Sequence, residues 1–234
     1  MNTKIVNRGY VPKDKMEFGE RWRPCMIAAA GDVRYLLDRG YDISAAVPFV
    51  GDHYQLSKRQ RIALMRGLAG RMRLKIRREK ELRDLSGVVY IDGFNTIITL
   101  EVALSGSLLI KCDDGTIRDL AGLRGTYRIV DKTIRALELL LDSLGRLSVD
   151  KAMIYLDQPV SNSGRLKSLI GQMSATRPFA VSVELLPDVD RQLYGKQQVI
   201  TSDRIILDEC GGWYNLNRRI IEENVPGAWI FSFT

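Results

Sequence analysis

The chain has 234 residues, 45% of them hydrophobic and 27% charged, with a formal net charge of +7. This is globular composition with room for one large domain or two small ones, and it excludes disordered and collagen-like chains. No apolar run approaches the roughly 20 residues of a membrane span, and the N-terminus is too polar for a signal peptide, so a cytoplasmic protein without a membrane partner is expected.

Charge divides the chain: residues 1–90 hold 19 basic against 10 acidic side chains, and residues 91–234 hold 16 against 18. From Cys25 to about Leu82 the apolar period is helical, with Ala28, Val33, Leu36 and Leu37 in one segment and Ile62, Met65, Ala69, Met72 and Ile76 in another. This predicts a small all-α domain over residues 1–85. Between Lys58 and Arg83 eleven basic residues meet only Glu79 and Glu81, which points to a polyanion partner or a solvated helical face. On one continuous helix Arg59, Arg66, Arg73 and Arg77 fall within about 40° of each other. Such a row either tracks a phosphate backbone or is the wet face of a packed helix. A break at Gly67 and Gly70 would scatter it.

After Ser86 strands and helices alternate. Strands are expected at 87–91 (GVVYI), 107–112 (SLLIKC), 151–156 (KAMIYL), 179–185, 198–201 and 228–233. Helices are expected at 96–104, at 133–144, from about 163, and at 217–223, and Asp113-Asp114-Gly115 is a turn signal. The pattern predicts an α/β domain over residues 86–234, with a mostly parallel sheet of about six strands between helices. Ligands bind such sheets at the carboxyl ends of the strands.

Three strands end in an aspartate: Asp92, Asp157 and Asp203. On one edge of a parallel sheet the three would repel each other unless a divalent cation neutralised them. An all-oxygen set suits Mg²⁺ or Mn²⁺, which activates water against a phosphodiester; independent helix caps are the alternative. Asn95 is placed to bond a carboxylate or a bound water, or to cap a helix. Ser161 and Ser163, running into a helix that carries Arg165 and Lys167, read as a phosphate cradle or as an ordinary cap. Asp208 is a candidate fourth acid. Trp213, Tyr214 and Trp229 are read as core, with base stacking as the alternative, and Cys112 as a buried thiol.

Three cysteines (Cys25, Cys112, Cys210) and one histidine (His53) provide neither a disulfide framework nor a Cys/His zinc site. They also leave little for a histidine-based triad. GxGxxG and GxxxxGK[ST] are absent, and the second acid of a HAD-type DxDx[TV] pattern is replaced by Phe94.

DGFN after the first strand, a middle strand ending in Asp157, and TSD after a late strand resemble the PIN-like nuclease superfamily, above all its NYN branch, over residues 86–234. The whole chain is similar to a prokaryotic family that joins a helical N-terminal domain, with a segment like FVGDHYQLSKRQRIALMRG, to a PIN-like domain. The resemblance implies a phosphodiesterase that uses Mg²⁺ or Mn²⁺. Asp92, Asp157 and Asp203 would be the metal ligands, with Asn95 beside them and a homodimer possible. PIN-type enzymes hold a further acid on an intervening helix, and here Glu101, Asp119, Asp131 and Asp208 compete for that place. The expected function is a metal-dependent nuclease, acting on RNA rather than DNA, whose basic helical domain holds the strand. The alternative is a non-catalytic nucleic-acid-binding or protein adaptor with a degenerate site.

Overall fold

The computed structural model describes residues 7–122 and 125–234. The N-terminal part is helical: α1 (Asp14–Glu17), α2 (Arg23–Leu37), α3 (Ile43–His53), α4 (Lys58–Gly67) and α5 (Arg71–Lys80). Helix α4 starts on a capping box, in which Ser57 Oγ accepts the Gln60 N–H and the Gln60 side chain accepts the Ser57 N–H. It stops where Leu68 and Gly70 turn extended. Gly67 also packs against the C-terminus, since a Cβ there would lie 2.5 Å from Phe233 Cε2. The seam expected over residues 62–76 is therefore two helices.

The rest of the chain is α/β. It runs β1 (Ser86–Asp92), α6 (Gly93–Leu104), β2 (Leu109–Lys111), β3 (Ile117–Asp119), α7 (Asp131–Gly145), β4 (Ser148–Asp157), α8 (Ser163–Ser174) and β5 (Ala180–Leu186). It continues through α9 (Val189–Leu193), β6 (Val199–Ile200), α10 (Arg204–Glu209) and α11 (Leu216–Asn224) to β7 (Ile230–Ser232). The strands form two sheets rather than one. β5-β4-β1-β6 is wholly parallel, while β3-β2-β7 is mixed, with β2 parallel to β7 and antiparallel to β3.

Period-2 alternation explains how the parallel sheet is covered on both faces. Val89 and Ile91 of β1, with Ala152, Ile154 and Leu156 of β4, enter the main core under α6, α7, α8 and α11. Tyr90, Met153 and Tyr155 point the other way, into a smaller cluster with Val189, Leu193, Ile206, Leu207 and Trp213. The second sheet faces the helical part: Leu108, Ile110, Phe231 and Phe233 share a core with Met26, Val33, Val47 and Leu64. The turn between β2 and β3 fastens the contact, because Asp113 accepts two bonds from Arg34 and one from the Ala69 N–H.

Helix α6 leaves β1 without a spacer, and Gly93 makes this possible. A Cβ there would lie 2.6 Å from Leu156 Cδ2 and 2.7 Å from the Tyr155 carbonyl oxygen, and a backbone atom cannot swing away. Gly93→Ala should therefore lower stability by about 2 kcal/mol through overpacking, measured by urea unfolding.

Candidate active site

All four strands of the parallel sheet run the same way, so their carboxyl ends share one edge. Asp92 ends β1, Asp157 ends β4, Asp190 follows β5 on α9, and Thr201-Ser202-Asp203 follows β6. In register, Asp92 faces Tyr155, and Asp157 extends two residues further.

Asp92 is buried, and its Oδ2 accepts a 2.9 Å bond from Thr201 Oγ1. Thr201 Oγ1 in turn accepts the Asp203 N–H at 3.0 Å. Asn95 Oδ1 accepts both the Ser202 N–H and the Ser202 hydroxyl at 2.8 Å, so this residue fastens the Thr-Ser-Asp loop instead of reaching a carboxylate with that oxygen. Asp203 Oδ1 caps α10 through the Ile205 and Ile206 N–H groups.

The electrostatics tie these carboxylates together. Burial pushes the Asp92 carboxyl up to about 8, and the charges of Asp203, Asp190 and Asp157 add to the rise against the Thr201 hydrogen bond. Asp190 is pushed up to about 6 by burial, then by Asp203, Asp157 and Asp188. Burial also raises Asp157, opposed by its own N–H and that of Val189.

Other buried carboxylates meet a cation. Asp14 pairs with Arg59 at 2.7 Å, Glu101 with Arg8 at 2.5 Å, Asp114 with Arg77 at 2.7 Å, and Asp119 with Arg66 at 3.6 Å. Among the described residues Asp92 has no basic partner and meets only like charges and a hydroxyl. Among the described residues, too, no group of three or more His, Cys, Asp or Glu side chains is arranged to hold a metal ion as it stands. The most strongly coupled pair is Asp92 with Asp203, while Asp157 acts on Asp92 least of the three. Asp190 joins the expected Asp203 and Asp157 among the charges that act on Asp92. Two carboxylates completed by water and substrate oxygens are a usual Mg²⁺ arrangement, so the donor chemistry fits a hard divalent cation.

Of the residues expected as a further acid, Asp119 shares the cavity of about 410 Å³ beside Asp203 with Asn95 and Ser202, and Glu101, Asp131 and Asp208 do not line it. Glu101 lies nine residues along α6, about 13 Å from Asp92 at 1.5 Å per residue. It is held by Arg8, Tyr127 and Thr133. Asp119 accepts from Thr99 Oγ1 at 2.9 Å, Asp131 pairs with Lys132, and Asp208 is held by Arg77 at 2.7 Å. Asp208 lines the larger cavity with Arg77 and Arg204 and not the one beside Asp203. A further acid, Asp190, follows a strand in the segment LLPDVD, two residues after the Pro-Asp turn that ends the apolar run.

The arginine row is dispersed. Arg59 is bidentate to Asp14 and donates to the Leu120 and Gly9 carbonyls; Arg77 is buried between Asp114 and Asp208. Neither is available to a phosphate. Arg73 stays exposed, 3.9 Å from Asp208. Arg66 donates to the Asp119 carbonyl at 2.7 Å and lines a cavity of about 410 Å³ with Asn95, Ser202, Asp203 and Arg204. In the loop after β4, expected as a phosphate cradle, Ser161 is exposed. Ser163 is buried with its hydroxyl turned to the Gln158 carbonyl, and the Ser161 N–H is bonded to Gly125. Arg165 and Lys167 are exposed on α8. Trp213 and Tyr214 are core, and the Trp213 indole N–H donates to the Arg77 carbonyl at 2.7 Å. Cys112 is a buried thiol raised to about 12 by burial.

Residues 80–219 match the family model described as Domain of unknown function (DUF5616), and residues 26–80 match that described as Protein of unknown function (DUF434). Over 182 residues the chain is 37% identical to Uncharacterized protein MJ0935 of Methanocaldococcus jannaschii, which covers 76% of this chain and 87% of that one. No solved structure matches. Among the described residues no helix is long and apolar enough to cross a membrane.

Proposed function

We propose that this chain, which belongs to the family described as Domain of unknown function (DUF5616), is a Mg²⁺- or Mn²⁺-dependent nuclease of PIN-like type acting in the cytoplasm, on RNA rather than DNA. The observation that carries the reading is Asp92, a buried carboxylate without a basic partner among the described residues, at a strand edge where Asp203, Asp190 and Asp157 add to its charge. Holding like charges together is unfavourable in isolation, and a divalent cation relieves it.

Asp92 and Asp203 would hold the cation, with Asp190 and Asp157 adding negative charge at the edge. When bound it would lower the pKa of a water and neutralise charge building on the phosphodiester. The chain's own part is positional. Thr201 orients Asp92 through Oδ2, Asn95 holds the loop that presents Asp203, and Arg66 and Arg204 border the adjoining cavity with the charge a phosphate requires. Asp190 would accept a proton from the attacking water.

The test is cleavage of end-labelled single-stranded RNA and DNA. Cutting is expected with Mn²⁺ or Mg²⁺ and none in EDTA, and replacing Asp190 by Asn should slow it by roughly a hundredfold. Cutting that persists in EDTA would remove the metal from the reading. One observation favours a second reading, a nucleic-acid-binding or protein adaptor: no three-carboxylate group is set to hold a metal among the described residues. Absence of both Mn²⁺ binding by calorimetry and cleavage would select it.

A further inference from the structure

Arg204 joins two cavities. The 410 Å³ cavity beside Asp203 shares it with a larger one of about 590 Å³, which lies between the α2–α3 turn, the start of α5, and α10. The other arginines on these walls have acidic partners: Arg71 with Asp38 at 2.6 Å, Arg77 with Asp114 and Asp208, Arg118 with Asp114, Arg66 with Asp119 at 3.6 Å and, at the longest distance, Arg73 with Asp208 at 3.9 Å. Arg204 makes no ion pair among the described residues, and it follows Asp203 directly in the chain. The larger cavity is also lined by Tyr41, an aromatic side chain 58% exposed. Its backbone is fixed by the turn at Gly40, where φ is +85°, and by a bond from its N–H to the Leu36 carbonyl. A free guanidinium and an exposed ring along one cleft are the two elements of a single-strand platform, one for a phosphate and one for a base face.

We propose that an unpaired polynucleotide reaches the carboxylate edge through this cleft, with a phosphate held by Arg204 beside Asp203 and a base laid on Tyr41. The helical N-terminal part thereby completes the substrate site, through Tyr41 and not through a row of arginines on α4 and α5. The inference rests on the nuclease reading for what happens at the edge, but its binding step stands apart from cleavage. A duplex keeps its base faces stacked and offers none to Tyr41.

The test uses the full chain in EDTA, with short fluorescein-labelled oligouridine RNA, oligothymidine DNA and a duplex, read by anisotropy across a salt series. Tyr41→Ala should weaken single-strand binding by roughly five- to a hundredfold. Arg204→Ala should weaken it by roughly tenfold and reduce the slope of log K against log salt by about 0.7. Arg135→Ala, which removes an exposed charge on α7 paired with Glu138, should leave affinity nearly unchanged, and circular dichroism checks that each variant is folded. The RNA and DNA arms show which sugar the cleft accepts. Wild-type affinity in both cleft variants, losses no larger than that of Arg135→Ala, equal affinity for the duplex, or no binding of any probe would each overturn the proposal. Binding that depends on Tyr41 and Arg204 without cleavage in Mn²⁺ supports the strand path while defeating the nuclease reading. Cleavage with both variants binding normally does the reverse.

Discussion

Asp92→Asn should abolish metal-dependent cleavage and, in EDTA at pH 8, make the protein more stable. Loss of a cation ligand removes several kcal/mol of transition-state stabilisation, so a fall of at least about a hundredfold is expected. The stability effect follows from linkage. An ordinary aspartate titrates near 3.9, whereas burial and the neighbouring acids hold folded Asp92 at about 8. Between these values the folded state binds more protons than the unfolded one, so stability falls as pH rises from about 4 to about 8. A shift of about 4 units corresponds to about 5 kcal/mol of linkage at most. Because the neighbouring carboxylates share that repulsion, about 2–3 kcal/mol is expected for the single variant. Asparagine keeps an acceptor for Thr201 Oγ1 and carries no charge. Urea unfolding in EDTA at pH 5 and pH 8 is the measurement. The variant should match the wild type at the lower pH more closely than at the higher one, and Mn²⁺ should stabilise the wild type at pH 8 only. A variant less stable at pH 8 would mean that the Asp92 charge is compensated after all.

Much of this edge was legible because it is local. β1 and β4 are buried on both faces, so each reads as a nearly unbroken apolar run, and Asp92 and Asp157 stand where the runs stop. Helices α7 and α8 repeat Leu137, Leu140, Leu141 and Leu144, and Leu166 and Ile170, over enough turns for the period to show. Asp190 was hidden because α9 has five residues, too few for a periodic signal, and the same holds for α10 with six and β3 with three. The division into two sheets was hidden for another reason. SLLIKC and the C-terminal strand have the composition of strands in any sheet, and their pairing with each other is set by partners more than a hundred residues away. The arginines failed in a third way. Arg59, Arg73 and Arg77 are alike as sequence, yet one is bidentate to Asp14, one is exposed, and one is buried against residues 37 and 131 positions away. A helical wheel also assumes a continuous helix, which the extended Leu68 and Gly70 interrupt.

The buried arginine gives the second large effect: Arg77→Ala should destabilise the protein by about 3–5 kcal/mol. Its guanidinium donates to Asp114 Oδ2 and Asp208 Oδ1 at 2.7 Å each and to the Arg204 carbonyl at 3.2 Å, linking α5 of the helical part to the β2–β3 turn and to α10. Burial pushes the Asp114 carboxyl up, but Arg118, Thr116 and Arg77 outweigh it and hold the group below its ordinary value. Its contribution is therefore present above the usual carboxylate range and is lost as pH falls through the lowered value. Removing Arg77 strands Asp208, whose remaining basic neighbour is Arg73 at 3.9 Å, and leaves Asp114 with Arg118 and the Thr116 hydrogen bonds. Arg77→Met should be nearly as damaging, because it fills the space without answering either charge, and Asp208→Asn on that background should recover part of the loss. Arg73→Ala, by contrast, removes an exposed and long contact and should change stability by less than about 0.5 kcal/mol. Urea midpoints of the four variants decide between a strut and a ligand contact. If Arg77 instead held phosphate, its alanine variant would keep the wild-type midpoint and lose affinity for the oligonucleotide, the opposite of what a guanidinium buried between two carboxylates requires.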